Sequence, residues 1–185
     1  MSVSAELAQT IYISSRCLYD KEKVEAALDK MASAITEKLA DKNPLIICVL
    51  TGAIIPMGQL LTRLDFPLEI DYIHATRYQG ETAGGELQWL AHPRTDMAGR
   101  VILIIDDILD EGHTLAGIIE HCREEGAKDV YSAVLVEKHH DRRVTGLHAD
   151  FVGLDVDDYY VFGYGMDYKG YLRNAPGIFA VTEKS

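Results

Sequence analysis

The stretch RVILIIDDILDEGHTLAGIIEHC, Arg100 to Cys122, decides the fold. Val101 to Ile105 form a continuously apolar run, too short for a helix, which predicts a strand buried on both faces of a parallel sheet. Gly112 then turns the chain, and a helix follows from about 114 to 125 with Gly126 as its C-cap. Between strand and helix, Asp106, Asp107, Asp110 and Glu111 place four carboxylates within six residues. In an open α/β sheet this is where ligands sit, beyond the carboxyl ends of the strands. The first helical turn brings unpaired N–H groups and the positive end of a dipole, which suit an anion. Neighbouring side chains on a strand point to opposite faces, so Asp106 and Asp107 do not form a simple chelate, yet both can meet a ligand lying across the strand tip. At a separation of ~6 Å such charges repel by only ~0.7 kcal/mol in water. A site of this kind tolerates them while open and gains from a cation or a polyhydroxyl ligand when closed. Neither G-x-x-x-x-G-K-[ST] nor G-x-G-x-x-G occurs in the chain. Taken singly, Asp110 also reads as an Asx-type cap.

Working outward, residues 20 to 40 place Val24, Ala27, Leu28, Met31, Ile35 and Leu39 on one helical face, with Asp20 as N-cap. NPLIICVLTG is a buried strand ended by Gly52, and IIPMGQLLTRLD a helix that tolerates Pro56 only in its first turn. PLEIDYIHATRY reads as a half-buried strand, VYSAVLV and DFVGLDV as further strands, and GIFAVTE as a closing one. Residues 79 to 99 carry four glycines and no long apolar face; only ELQWL could pair there. An irregular segment of ~20 residues inside a domain is often a functional lid. Alternating elements with apolar strands indicate an α/β fold, a mostly parallel central sheet flanked by helices.

The 185 residues fit one domain, and 48% hydrophobic with 25% charged residues is ordinary for a globular chain. A net charge of −11 argues against non-specific nucleic-acid or membrane binding. HHDRR, at 139–143, is the one basic stretch, and it reads as a solvated turn. Cys17, Cys48 and Cys122 read as reduced thiols, and no apolar run reaches the ~18 residues of a membrane span. With no secretion signal at the N-terminus, the expectation is a cytoplasmic protein.

VILIIDDILDEGHTL resembles the phosphoribosyl-pyrophosphate (PRPP) signature of the type I phosphoribosyltransferases: apolar strand, two acids, two apolar residues, Asp, a small residue, Gly, any residue, Thr. The resemblance implies that Asp106 and Asp107 hold the ribose hydroxyls and that Asp110, Glu111, Gly112, His113 and Thr114 cradle the 5-phosphate. It also implies a small hood formed by terminal segments. Glu111 departs from the pattern, which usually has Thr or Ser there.

Three further segments resemble the purine branch, the hypoxanthine-guanine phosphoribosyltransferases. VLTGAIIPMGQLL is similar to the pyrophosphate loop, implying a cis Leu50–Thr51 peptide and amides of Thr51, Gly52 and Ala53 that face the diphosphate. In VLVEKHHDRRV, Lys138 matches the lysine that reaches the purine six-oxo group, with a register against His139 left open by one extra residue. In DDYYVFGYGMDYKGYLRN, Tyr160 matches the residue stacking on the base, while Val161 and Asp167 would read its edge through backbone groups. Asp167 also matches the Mg2+ ligand, and Arg173 an arginine that holds pyrophosphate. The segment 77–99 falls at the mobile catalytic loop, with Tyr78 as lid residue; Arg77 replaces a serine and either adds charge near the diphosphate or faces solvent.

The resemblance implies transfer of the phosphoribosyl group of PRPP to hypoxanthine or guanine, giving nucleotide and pyrophosphate, with Mg2+ as cofactor and a homodimer or homotetramer as assembly. Asp110 is the implied catalytic group, taking a proton from the purine or stabilising the ribosyl cation. Two alternatives stand beside this: a PRPP- or nucleotide-binding regulatory protein of the same fold, and a transferase preferring xanthine.

Overall fold

The computed structural model describes residues 3–77 and 87–182, so Tyr78 lies outside the described residues. In chain order the elements are α1 (Ala5–Ser14), β1 (Arg16–Asp20), α2 (Lys21–Leu39), β2 (Leu45–Val49), α3 (Ile54–Leu61), β3 (Glu69–Arg77) and β4 (Leu87–Ala91). There follow β5 (Val101–Leu109), α4 (His113–Glu124), β6 (Asp129–His139), β7 (Phe151–Asp157), β8 (Val161–Phe162) and β9 (Gly177–Ala180). Among the described residues a six-stranded sheet has the order β4-β3-β2-β5-β6-β7, parallel except for the antiparallel β3–β4 pair.

Helices α2, α3 and α4 form where the sequence placed them, and α1 is an addition to those expected. Asp20 caps α2 by accepting from the Lys23 amide at 2.9 Å, and Val24, Leu28, Met31, Ile35 and Leu39 are all buried. Each such side chain contributes about 1.5–3 kcal/mol through burial. Packed on one another, α2 and α3 cover β7 and β5, while α4 lies over β3, β5 and β6. Every residue of β2 is buried, as its apolar run requires. ELQWL does pair, as β4 against β3. The return of that segment is tied down where Asp71 accepts from the amides of Arg94 and Thr95, each at 2.8 Å.

One boundary differs from expectation. The central strand does not end at Ile105 but runs to Leu109, carrying both aspartates inside the sheet. The cause is non-local: β6 is 11 residues long and offers partners as far as Glu137, opposite Leu109.

The predicted closing strand does not join the main sheet. It forms the middle of a second, antiparallel sheet of order β1-β9-β8, which is the expected hood of terminal segments. Phe162 stacks on Phe179 at 5.5 Å between centroids, and Tyr12 of α1 meets Phe179 edge-on at 5.1 Å, so the hood has an aromatic core of its own.

Candidate active site

The carboxyl ends of β2 and β5, the start of α4 and the loop after β8 enclose a cavity of about 450 Å³. It is lined by Thr51, Gly52, Asp106, Asp107, residues 110–114, Asp167 and Arg173. Residues from three distant parts of the chain that the signature picked out thus share one space.

Gly112 is the N-cap of α4, with φ of +86°, and no side chain caps that helix. A side chain is excluded there twice over, because a Cβ would sit 2.3 Å from Leu147 Cδ2 and φ is left-handed. The first-turn N–H groups are therefore left for an anion. Asp110 is not the Asx cap that its position allows, since its carboxylate is engaged elsewhere. The carbonyl of Glu111 accepts from the Val144 amide at 2.9 Å. Its carboxylate lies 3.8 Å from both Arg142 Nε and His113 Nε2, so two basic groups flank the odd acid of the loop.

Asp106 and Asp107 are almost fully buried. Each accepts the amide of the following residue, Asp107 N–H at 2.9 Å and Ile108 N–H at 2.8 Å. Burial pushes the Asp106 carboxyl well above the ordinary range, and the charge of Asp107 adds to it. Asp107 is also raised by burial, less so because the hydrogen bond with Asp106 and the Arg173 charge favour its ionised form. Gly52 lies directly on Asp107: a Cβ there would be 2.0 Å from Oδ2. The Leu50–Thr51 peptide is cis, as the resemblance implied. One expectation for this loop fails. The Ala53 amide donates to the Val49 carbonyl at 3.0 Å and is not free for a ligand, because it already closes the turn into α3. The amides of Thr51 and Gly52 have no acceptor among the described residues.

Asp110 is held on both oxygens, by Lys138 Nζ on Oδ2 and His140 Nε2 on Oδ1, each at 2.6 Å. Burial raises its pKa, but the hydrogen bonds and charges of Lys138 and His140 outweigh this and hold the carboxyl below the usual range. Lys138 therefore faces the site, whereas His139 turns to Asp155 of β7 at 2.9 Å, which separates the two registers. Asp110, His140 and Asp158 have metal-like spacing, their ligand atoms within 4.8 Å of one another. The Lys138 ammonium, 2.6 Å from Asp110 and 3.9 Å from Asp158, already supplies the cation there. HHDRR is exposed at His139, Asp141 and Arg142, as a solvated turn would be, but its charges are paired and it is not a free basic patch. The His140 ring is only 3% exposed, Arg142 forms a two-pronged pair with Asp158, and Arg143 pairs with Glu137.

Asp167 and Arg173 meet from the hood side. Arg173 Nη2 lies 2.7 Å from Asp167 Oδ1, and Nη1 donates to the Gly165 carbonyl at 2.5 Å and lies 3.8 Å from Asp107 Oδ2. The other Asp167 oxygen accepts from the Gly170 amide at 2.7 Å. Tyr160 and Val161 do not line this cavity. Tyr160 is half exposed in a neighbouring pocket with Asp158, Tyr168 and Lys169, and Val161 is buried in the hood sheet opposite Ala180. Lys138 and Asp158 connect the two spaces. The sequence reading did not assign His140 or Asp158 to the site; the only signals for them were the basic HHDRR stretch and a pair of aspartates before Tyr159.

The phosphoribosyl transferase domain family matches residues 14–169. A hypoxanthine-guanine-xanthine phosphoribosyltransferase of Tritrichomonas foetus is 33% identical over 91% of this chain and 92% of its own length. The hypoxanthine-guanine phosphoribosyltransferase of Bacillus subtilis (strain 168) is 35% identical over 88% and 91%. In three dimensions the chain superposes on a hypoxanthine-guanine-xanthine phosphoribosyltransferase structure with a TM-score of 0.83 at 31% identity, covering 91% of this chain and 97% of that one. A hypoxanthine phosphoribosyltransferase from Staphylococcus aureus gives 0.87 at 27% identity, over 94% and 95%. The family match and these relatives span most of the chain, which belongs to the phosphoribosyl transferase domain family.

Proposed function

We propose that this protein is a purine-salvage enzyme that transfers the 5-phosphoribosyl group of PRPP to hypoxanthine, guanine or both, giving the nucleotide and pyrophosphate. The observation that carries the reading is the single cavity in which buried acids of β5, an uncapped helix N-terminus and Arg173 converge. A ring nitrogen of the purine attacks the anomeric carbon as the bond from that carbon to the diphosphate oxygen breaks. Positive charge develops on the ribose and negative charge on the leaving group. Asp106 and Asp107 hold the ribose hydroxyls, the amides of 111–114 hold the 5-phosphate, and Thr51, Gly52 and Arg173 hold the diphosphate. Asp110 takes the purine proton or stabilises the cation, Lys138 meets the six-oxo group, and Tyr160 with the backbone of Val161 and Asp167 receives the base.

The Asp167 carboxylate on the cavity wall is the group that would hold Mg2+, which prefers hard oxygen ligands and retains waters. When bound it would neutralise diphosphate charge. Residues 1–185 act as one catalytic unit, with 77–99 as a lid that keeps water from the reacting centre. We place the enzyme in the cytoplasm, whose reducing conditions suit the free thiols of Cys17, Cys48 and Cys122. Among the described residues no helix is long and apolar enough to cross a membrane. Exposed Ile70, Tyr72 and Leu90 on β3 and β4 are compatible with a homodimer or homotetramer.

The test is PRPP- and Mg2+-dependent nucleotide formation from hypoxanthine, guanine, xanthine, adenine and uracil, run side by side. Hypoxanthine and guanine are expected to react. Turnover of xanthine alone would favour the second reading, which the name of the Tritrichomonas relative motivates. PRPP binding with no turnover of any base would sink the enzyme and leave a PRPP-binding regulator.

A further inference from the structure

Asp110 has a second partner that the resemblance did not assign. His140 lies two residues beyond Lys138. Its ring is buried, and both nitrogens are engaged. Nε2 lies 2.6 Å from Asp110 Oδ1, and Nδ1 accepts from the Arg142 backbone amide at 3.1 Å. An N–H aimed at Nδ1 requires a lone pair there, so the ring is the Nε2–H tautomer and donates to the carboxylate. Arg142 is anchored in turn by its two-pronged pair with Asp158, at 2.8 and 2.9 Å.

We propose that His140 is a positioning residue for Asp110, a fixed neutral donor that keeps the carboxylate oriented while Lys138 is shared with the purine. This deepens the function proposed above and rests on it. The Lys138 ammonium has three N–H groups, and a purine oxo group that draws on it loosens its hold on Asp110 Oδ2. Asp110 then depends more on the second of its two clamps. The Nε2–H of His140 remains and stops the carboxylate from rotating about its bond to the chain. Because the imidazole is neutral, Asp110 keeps its full negative charge for the purine proton or the ribosyl cation. The charged groups facing the ring are Asp110, Asp158 and, through Asp110, Lys138.

The experiment compares wild type, His140→Leu, His140→Gln, Asp110→Asn and the double variant Asp110→Asn/His140→Leu in steady-state assays. Circular dichroism and thermal melting monitor the fold. Loss of the donor should lower kcat by about tenfold or more while KM for PRPP stays within about twofold, since misplacement of a reacting group by ~1 Å can cost ~100-fold. Gln keeps an N–H at similar reach and should recover most of that kcat. In the Asp110→Asn background, His140→Leu should change kcat by less than about twofold, because residues acting as one unit are not additive. Wild-type kcat in His140→Leu, an equal loss in both backgrounds, or no recovery with Gln would overturn the proposal. Nitrogen-15 correlation spectra of wild-type protein should show Nε2 protonated and Nδ1 bare; the opposite tautomer would overturn it even if the Leu variant fails to fold. A wild type inactive on every base removes the function and this role together, whereas an active wild type matched by His140→Leu removes this role alone.

Discussion

Gly52→Ala and Gly58→Ala add the same methyl group to the same part of the chain and should have opposite consequences. At Gly52 the new Cβ would lie 2.0 Å from Asp107 Oδ2, 2.4 Å from its Cγ and 2.9 Å from Oδ1. Ordinary contact begins near 3.4 Å, so more than an ångström of overlap must be relieved. The aspartate cannot withdraw freely, being buried with Oδ1 held by the Ile108 amide at 2.8 Å. Moving it forfeits that charge-assisted bond, about 1.5–3 kcal/mol. At ~1.4 kcal/mol per factor of ten, PRPP affinity should fall by about ten- to a hundred-and-fiftyfold. Gly58 sits in α3 with nothing within 4 Å of a Cβ. Alanine there should stabilise by about 0.5–1 kcal/mol, roughly 2–4 °C of melting temperature per kcal/mol for a chain of this size. It should leave PRPP binding unchanged. Titration calorimetry with PRPP and Mg2+, beside thermal melts, reads both effects. Gly52→Ala binding PRPP like wild type would refute the placement of Asp107 beneath the diphosphate loop. Equal loss of binding in Gly58→Ala would instead show general sensitivity of α3.

Three other outcomes follow from the site. Asp110→Asn should retain PRPP binding but lower kcat by about a hundredfold, the lower end of what a positioned acid or base contributes; an unchanged kcat would remove it from the reacting centre. Asp106→Asn should weaken PRPP binding yet raise thermal stability at neutral pH by on the order of 1 kcal/mol. The sign follows from its raised carboxyl. Below the unfolded value of ~3.9 both states hold the proton and Asn gains nothing, whereas rising pH charges a buried group only at a cost to the native state. Melts from acid to pH 8 should therefore show the advantage growing with pH, and an advantage confined to acid would contradict the buried charge. Glu111→Thr removes a negative charge from the phosphate loop; at ~6 Å in water that is ~0.7 kcal/mol, so KM for PRPP should drop by about threefold. A raised KM would mean that Glu111 helps rather than hinders.

Local chemistry made much of this legible. The cap at Asp20, the apolar face of α2, Pro56 in the first turn of α3 and the glycine turn before α4 depend on residues a few positions apart, and each appears where the pattern places it. Much of what was not legible depends on partners far along the chain, as the continuation of β5 to Leu109 depends on the length of β6. The occupied Ala53 amide is local, closed by Val49 four residues back, and needs the exact turn into α3. His140 looked like part of a charged turn because its burial arises from cross-loop pairs, Arg142 with Asp158 and Arg143 with Glu137, that no spacing rule reveals. The split between the cavity at the tip of β5 and the Tyr160 pocket is likewise a matter of how the hood sits on the sheet.

That hood sheet has an unusual dependence on chain order. Its middle strand, β9, joins β1 to β8, and those two are not paired with each other. The platform carrying Tyr160 and Val161 consequently has no partial form, since without Gly177–Ala180 its flanking strands share no backbone bond. The anion cradle, by contrast, draws on β2, β5 and the start of α4, all complete before residue 125. In chain order the residues proposed to grip sugar and 5-phosphate therefore come before the strand that completes the base platform, while Asp167 and Arg173 reach the same cavity from the hood side.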